Sequence, residues 1–458
     1  MIILFPLEIK VREYLPKLIL INELLKIKNI TIFLFRGRSF LKIIKKMKNV
    51  IFFDKSLSET KKEFHKNILK KNYILSLDEE GPIYNWDLLT RKARLPSKII
   101  CNLSKIFLWG KYERKFISQK QKILVTGHPK YDLLKYKYIN KIFFKEINFI
   151  KKNFRKFVFV SSSFTQDVEG GYENYIRYLE KAYKGNLRKK YFNQFLEFQK
   201  NDNQNYLELI NLTIKLAKNY PNKTIIFRPH PSQDINIVKS RFPNLKNLKI
   251  IRQFQISPWI YLCDVYVHSH CTTSYEAAIL KKKIITLIKN KDTEHKYNLL
   301  KFRLGEYFTS SDKCIEFFKL KKRLKKYHLP KNYILNNNNN TYASKIIKNF
   351  IEKEFKNIKS EIIFDTKRLK TAKNKQSNLR LVMSNVKNYL LKNDHLRKVD
   401  NFLNLPADWF LNRNYKKNKF TKFKLNEIKK FFDLFSNNKQ INQYKIKKIS
   451  DEIIQFKN

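Results

Sequence analysis

Apolar residues in the first third of the chain fall in short runs separated by longer amphipathic stretches. MIILFPL opens the chain, and TIFLF, VIFF, YILSLD, KIFLW and KILVT follow as runs of strand length. Between the first two, VREYLPKLILINELLKIK carries its apolar residues at helical spacing, with a proline near its start. Strands separated by helices of this length predict a parallel sheet with right-handed crossovers. A lysine-rich, weakly patterned connection runs from about Lys135 to Lys156. A second series then begins at KFVFVSSSFT, a strand that runs out into small polar residues, and continues through TIIFRPHP, LKII, DVYVHS and IITLI. A helix is predicted over Asn205–Tyr220, with Leu207, Ile210, Ile214 and Ala217 on its apolar face and Pro221 as its stop. After about Lys319 the pattern changes. KLKKRLKKYHLPKNYI is strongly basic, Asn336–Asn340 is a low-complexity run that reads as a surface loop, and from Tyr342 the chain looks helical with no strand series. The expected organisation is α/β: residues 1–150 as an N-terminal Rossmann-like domain, 151–345 as a C-terminal one, and 346–458 as a basic helical extension.

Composition narrows the class. The 458 residues suffice for two or three domains, and 43% hydrophobic with 29% charged residues suits a globular chain. No apolar run reaches the roughly 18 residues that span a bilayer, and the N-terminus reads as a first strand rather than a signal peptide. Cys101, Cys263, Cys271 and Cys314 lie far apart with no C-x-x-C pair, which points to a reducing compartment, the cytoplasm, and away from structural zinc. The formal charge of +57 would ordinarily suggest nucleic acid. Here lysine is spread along the whole chain, and neither a zinc-finger pattern nor a ribonucleoprotein motif is present, so no nucleic-acid partner is expected. A basic surface does suit an anionic membrane or polyanionic substrates.

The candidate chemistry sits after strands, where open parallel sheets bind ligands. VHSHCTTSYEAA follows one strand and opens a helix, so Thr272, Thr273 and Ser274 fall at a helix N-terminus, where N–H groups and hydroxyls can hold phosphate. Thr273 and Glu276 also have the spacing of a capping box, a purely structural use. His268 and His270 alternate on one face, but no acidic or cysteine partner is spaced to complete a metal site, and nothing local activates Cys271. No metal and no cofactor are expected. In RPHPSQD, Arg228 can fork onto phosphate oxygens, and His230, held between Pro229 and Pro231, can donate to phosphate or act as an acid, with Ser232 beside it. The N-terminal half places Glu8, Lys10, Arg12 and Glu13, then Asp78, Glu79 and Glu80, then Gly127, His128 and Pro129, after three of its strands.

Taken in order, PLEIKVRE, DKS at Asp54–Ser56, LDEEG at Leu77–Gly81, VTGHPKYDLL, RPHPSQD and HSHCTTSYEA resemble the bacterial surface carbohydrate biosynthesis protein family, over roughly residues 1–300. RPHP followed by the Ser/Thr-rich strand end and EA is also similar to the CDP-glycerol glycerophosphotransferases and the capsule sialyl- or Kdo-type transferases. The resemblance implies a GT-B-like architecture, two Rossmann-like parallel-sheet domains facing a cleft, with the nucleotide-linked donor in the C-terminal one. It implies that Arg228 and His230 meet the donor phosphate, that Thr272, Thr273 and Ser274 complete the pocket, and that Glu276 sits near ribose. The chain departs from the family pattern at His128 and Lys130, where Asn and Arg are usual, and at Ser161–Phe164, where an Asn-rich strand end is usual.

The leading expectation is transfer of a sugar or polyol-phosphate unit from a nucleotide-activated donor to a glycan or lipid-linked glycan acceptor, without metal. Glu79 or Glu8 would serve as base, and phosphate donors would stabilise the leaving nucleotide. A UDP-sugar 2-epimerase is the alternative within enzymes, and a non-catalytic glycan- or polyanion-binding assembly protein is the alternative outside them. In the tail, Lys416–Phe435 spaces Phe420, Phe423, Leu425, Ile428, Phe431, Phe432 and Leu434 among lysines, which suits either a brace on the domains or a face for anionic lipid.

Overall fold

A computed structural model describes residues 1–36, 44, 47–57, 61–69, 71–81, 94–164, 167, 186–289, 304–320, 323–330, 332–338, 340–362, 423–435, 444–450 and 453–458; side chains of 186–200 are not described. Phe420 of the predicted tail face lies outside these residues. The chain forms two compact units, one holding the described residues of Met1–Asn148, His328–Thr371 and Phe420–Asn458, the other those of Phe149–Tyr327.

The first unit is built on β1 (Ile2–Leu7), β2 (Thr31–Arg36), β3 (Met47–Lys48), β4 (Ile51–Asp54), β5 (Tyr73–Leu77), β6 (Lys105–Leu108) and β7 (Ile123–Val125). The second carries β8 (Phe157–Ser161), β9 (Thr224–Arg228), β10 (Leu248–Ile250), β11 (Val265–His268), β12 (Lys283–Leu287) and β13 (Glu306–Phe308). β14 (Glu361–Ile362), β15 (Lys445–Ser450) and β16 (Ile453–Lys457) complete the series. All strands of the second sheet run parallel in the order β10-β9-β8-β11-β12-β13. Numbered within the unit, that is 3-2-1-4-5-6, the order of doubly wound nucleotide-binding sheets, with its reversal between β8 and β11. In the first sheet β2, β1, β4, β5, β6 and β7 are parallel neighbours, and the reversal falls between β1 and β4. Strands such as IILFPL and FVFVS are buried along nearly their whole length, as parallel strands covered on both faces must be.

The strand runs read from the sequence are present, and three differences have clear causes. The connection after Lys135 is helical, Tyr136–Ile142 and Phe144–Asn153, with Ile139, Phe143, Ile147 and Ile150 buried at helical spacing among lysines. The helix predicted over Asn205–Tyr220 is Asn186–Asn219, and Tyr206 turns its buried face to Leu209, Ile210, Thr213 and Leu216, leaving Leu207 47% exposed. The extension expected to be only helical contains strands. β16 pairs antiparallel with β2 from Ile453↔Phe35 to Lys457↔Thr31, and β15 covers β16 in turn. KIKKIS hides its strand character because its polar positions are lysines, and lysine on the outermost strand discourages further pairing. The helix Leu425–Asp433 turns Ile428, Phe431 and Phe432 inward, and the Phe432 and Phe456 rings lie 5.6 Å apart. The tail face is thus a brace on the first unit. No described helix is long and apolar enough to cross a membrane.

Candidate functional site

In the second unit, strand register aligns a polar row at the carboxyl ends. Arg228 of β9 pairs with Ser161 of β8, Ser161 with His268 of β11, and His268 with Thr286 of β12. His268 is fully buried, and its Nε2 lies 3.0 Å from Thr286 Oγ1. Two loops flank the reversal point. Ser162 Oγ donates to Gln233 Oε1 (2.9 Å), and Ser163 Oγ lies 3.2 Å from His270 Nδ1. The other ring nitrogen of His270 bonds the Asp202 carboxylate. Beside them, Gln233 Oε1 also accepts the His230 N–H (2.8 Å), while His230 Nδ1 lies 2.6 Å from Ser232 Oγ and accepts the Ser232 N–H at 3.2 Å. With Nδ1 accepting, a neutral His230 carries its proton on Nε2.

Arg228 does fork, but onto the carbonyls of Gln253 (2.8 Å) and Phe254 (2.5 Å). Phe254 has φ of 65°, an unusual conformation for a bulky residue, and the guanidinium holds its carbonyl. Burial, with Arg252 adding to it, pushes the Arg228 guanidinium down to about 10. Thr273 and Glu276 do not form a capping box. Thr273 is helical at the N-cap position without a side-chain cap, and its Oγ1 contacts Tyr266 Oη (2.5 Å) and Cys271 Sγ (2.8 Å). Glu276 is fully buried and accepts from Ser257 Oγ at 2.8 Å. Ser274 Oγ donates to the Cys271 carbonyl (2.8 Å), and the Thr272 carbonyl accepts the Tyr275 N–H (3.2 Å).

The first unit fills its own reversal point with charge. Lys55, after β4, pairs with Glu8, after β1. The Glu8 N–H donates to Glu13 Oε2 (2.9 Å), Arg12 lies 3.2 Å from Glu13, and Lys17 bridges Glu13 (3.8 Å) and Glu79. Lys10 turns the other way, onto Glu427 at 3.2 Å. Three carboxylates, Glu8, Glu13 and Glu79, thus meet three cations, Arg12, Lys17 and Lys55. Lys17, Lys55 and Glu79 of this set line a small recess with Asp54, His128 and apolar side chains. Burial alone would raise the Glu79 carboxyl, but Lys17 and His128 outweigh it and hold it well below the usual carboxylate range. Asp78 differs. Burial pushes it up to about 7 against the pull of Arg94, whose guanidinium lies 2.8 Å away.

His128 is fixed on every side. Nδ1 accepts the Lys130 N–H (3.0 Å), so a neutral ring carries its proton on Nε2, 3.3 Å from Glu79 Oε2 but without the alignment of a hydrogen bond. Its ring packs 4.5 Å from that of Trp109. Its backbone is gripped by Asn336, whose Oδ1 accepts the His128 N–H (3.1 Å) and whose Nδ2 donates to the His128 carbonyl (2.9 Å). Gly127 is required there: its φ is +78°, and a Cβ would collide with the Asn336 side chain.

The structure therefore gathers Arg228, His230, Ser232, His268 and Thr272–Ser274 at one end of the second sheet. It gathers Glu8, Arg12, Asp78, Glu79, Gly127 and His128 at the corresponding end of the first. The sequence places Glu13 in the charged cluster after the first strand, but it does not mark Lys17, Lys55, Ser163, Asp202 or Asn336 as site residues. Lys17 stands one turn beyond Glu13 on a helix that starts at a strand end, a spacing that could have marked it. Nothing local marks Asp202 or Asn336.

The fold is α/β, two Rossmann-like parallel-sheet units in one chain. No family model and no curated protein matches the sequence. Among solved structures, the chain is similar to a UDP-GlcNAc 2-epimerase from Neisseria meningitidis bound to UDP-GlcNAc (14% identity, TM-score 0.47, 77% of this chain and 100% of that one). It is similar also to the UDP-GlcNAc 2-epimerase from Methanocaldococcus jannaschii (15%, 0.47, 77% and 100%). A third is the wall teichoic acid polymerase TagF (13%, 0.41, 77% and 89%).

Proposed function

We propose that the protein transfers a sugar or polyol-phosphate unit from a nucleotide-activated donor to a surface-glycan acceptor. The observation that supports this reading is the polar set at the reversal point of the second sheet. Sheets of 3-2-1-4-5-6 order bind ligands at their reversal point, here between the loops after β8 and β11, where Ser162, Ser163 and His270 gather. The second unit accordingly takes the donor phosphates. A glycan acceptor carried on lipid would bring the enzyme to the inner face of the cytoplasmic membrane. The apolar face of the Leu425–Asp433 helix is turned inward, so such association rests on the lysine surface. Incubation with CMP-, CDP-, UDP- and GDP-linked donors tests the reading. Nucleotide release only with acceptor supports transfer, isomerisation of the donor sugar supports a 2-epimerase, and no turnover supports a binding protein.

The base for the acceptor hydroxyl is assigned to Asp78 rather than Glu79 or Glu8. Glu79 is held ionised by Lys17 and is too weak a base, and Glu8 is tied to Lys55. A carboxyl near 7 suits proton abstraction at neutral pH. The working form is the carboxylate, so turnover should rise as pH climbs through about 7. Asp78→Asn should lower kcat by roughly 10² to 10⁴ and flatten that limb. A variant with an unchanged pH profile would remove Asp78 from the reaction.

A further inference from the structure

Ser163, His270 and Asp202 form a chain of contacts from three separate segments: the loop after β8, the loop after β11 and the helix Asn186–Asn219. Asp202 and His270 are buried, whereas Ser163 is part-exposed. The Phe164 ring meets the imidazole edge-on at 5.0 Å and fixes its plane. Groups facing the ring include Asp202, Ser163 and Phe164, with Cys271 next in the chain, and Asp202 is the charged one among them.

The Asp202 carboxylate accepts, so Nε2 carries a proton. Nδ1 then has two states. Bare, it accepts the Ser163 hydroxyl proton, and the hydroxyl presents only lone pairs outward. Protonated, it donates to Ser163 Oγ and turns the hydroxyl proton toward whatever lies beyond. An anion in the crevice selects the second state, in which the buried carboxylate stabilises the imidazolium. The guanidinium of the same strand-end row, Arg228, is committed to two carbonyls. Ser269 Oγ, between the two histidines and fully buried, has no hydrogen-bond partner among the described residues, a further polar group gathered at this strand end.

We propose that Asp202, His270 and Ser163 form a proton-coupled phosphate anchor, in which Ser163 donates to a phosphate oxygen of the bound nucleotide and His270 takes up a proton as the anion arrives. This deepens the proposed function and rests on its placing the donor phosphates in the second unit. Ser163 is the contact residue; His270 and Asp202 are positioning residues. No bond other than that to the proton changes, and solvent supplies the proton.

Titration calorimetry of the full chain at pH 7.5, in buffers of differing ionisation enthalpy, tests the anchor. UDP, CDP, GDP, CMP and inorganic pyrophosphate are the probes. Binding to the native protein should take up a proton, seen as a buffer-dependent enthalpy. His270→Gln and Asp202→Asn should abolish the uptake and weaken phosphate binding about tenfold, the scale of one charge-assisted hydrogen bond. Ser163→Ala leaves the imidazole–carboxylate pair intact and should weaken binding similarly, so the anchor stays testable if either buried variant fails to fold. Nucleotide binding with no proton uptake, unchanged in Ser163→Ala, would overturn the anchor and leave the nucleotide reading standing. Failure of every probe to bind the native protein would overturn both.

Discussion

Replacing Asp132 with alanine should destabilise the first unit by about 3 to 5 kcal/mol, the loss expected when several buried donors are orphaned together. Asp132 is fully buried. Its Oδ1 accepts from the Ala343 N–H (3.0 Å) and Asn336 Nδ2 (2.7 Å), and its Oδ2 from the Ser344 N–H (2.9 Å) and hydroxyl (2.8 Å). Two of these donors are backbone groups at the start of the helix Ala343–Phe355, which has no side-chain cap of its own. Asp132 therefore closes a helix more than two hundred residues away in sequence and holds Asn336 against His128. Asp132→Asn keeps the volume and one acceptor oxygen, so its cost should be smaller. Hydrogen exchange is the direct measure. Amides around 336–355 should lose roughly 10² to 10³ or more in protection in Asp132→Ala, from about 1.4 kcal/mol per decade. Protection within threefold of the native value would show that the carboxylate is not what closes this helix.

Deleting residues 444–458 should leave the first unit unable to fold to a soluble form. β16 buries Ile453, Ile454 and Phe456, and side chains of this kind contribute about 1.5 to 3 kcal/mol each when fully buried. The loss of about 5 to 9 kcal/mol is comparable to the whole stability of a domain. Removal also bares the edge of β2, an apolar TIFLFR strand that would offer its unpaired backbone to other chains. Size-exclusion chromatography should show aggregate where the full chain is monodisperse. Ile454→Lys, which places a charge in that core without exposing the edge, should destabilise without the same aggregation. A truncated protein that elutes as a compact monomer would show that the first sheet is complete without its C-terminal strands.

The sequence by itself determined the α/β class, most strands of the two parallel sheets, and the ends of those strands as the places where chemistry collects. Those properties are local. A buried parallel strand must be a continuous apolar run, and a loop at its carboxyl end must carry whatever polar groups meet a ligand, so IILFPL before Glu8 and VYVH before the histidine–threonine segment can be read from their own composition. What each polar side chain does was decided by tertiary structure. Arg228 looked available for phosphate, yet the carbonyls of Gln253 and Phe254 come within reach of its guanidinium. Asn336 looked like one residue of a polar loop, yet it is buried and reads both backbone groups of His128. KIKKIS looked like solvated tail, yet it covers β16 in the first sheet. Hydrogen bonds and strand pairing depend on partners brought together from distant parts of the chain, and no periodicity within a segment records who those partners are.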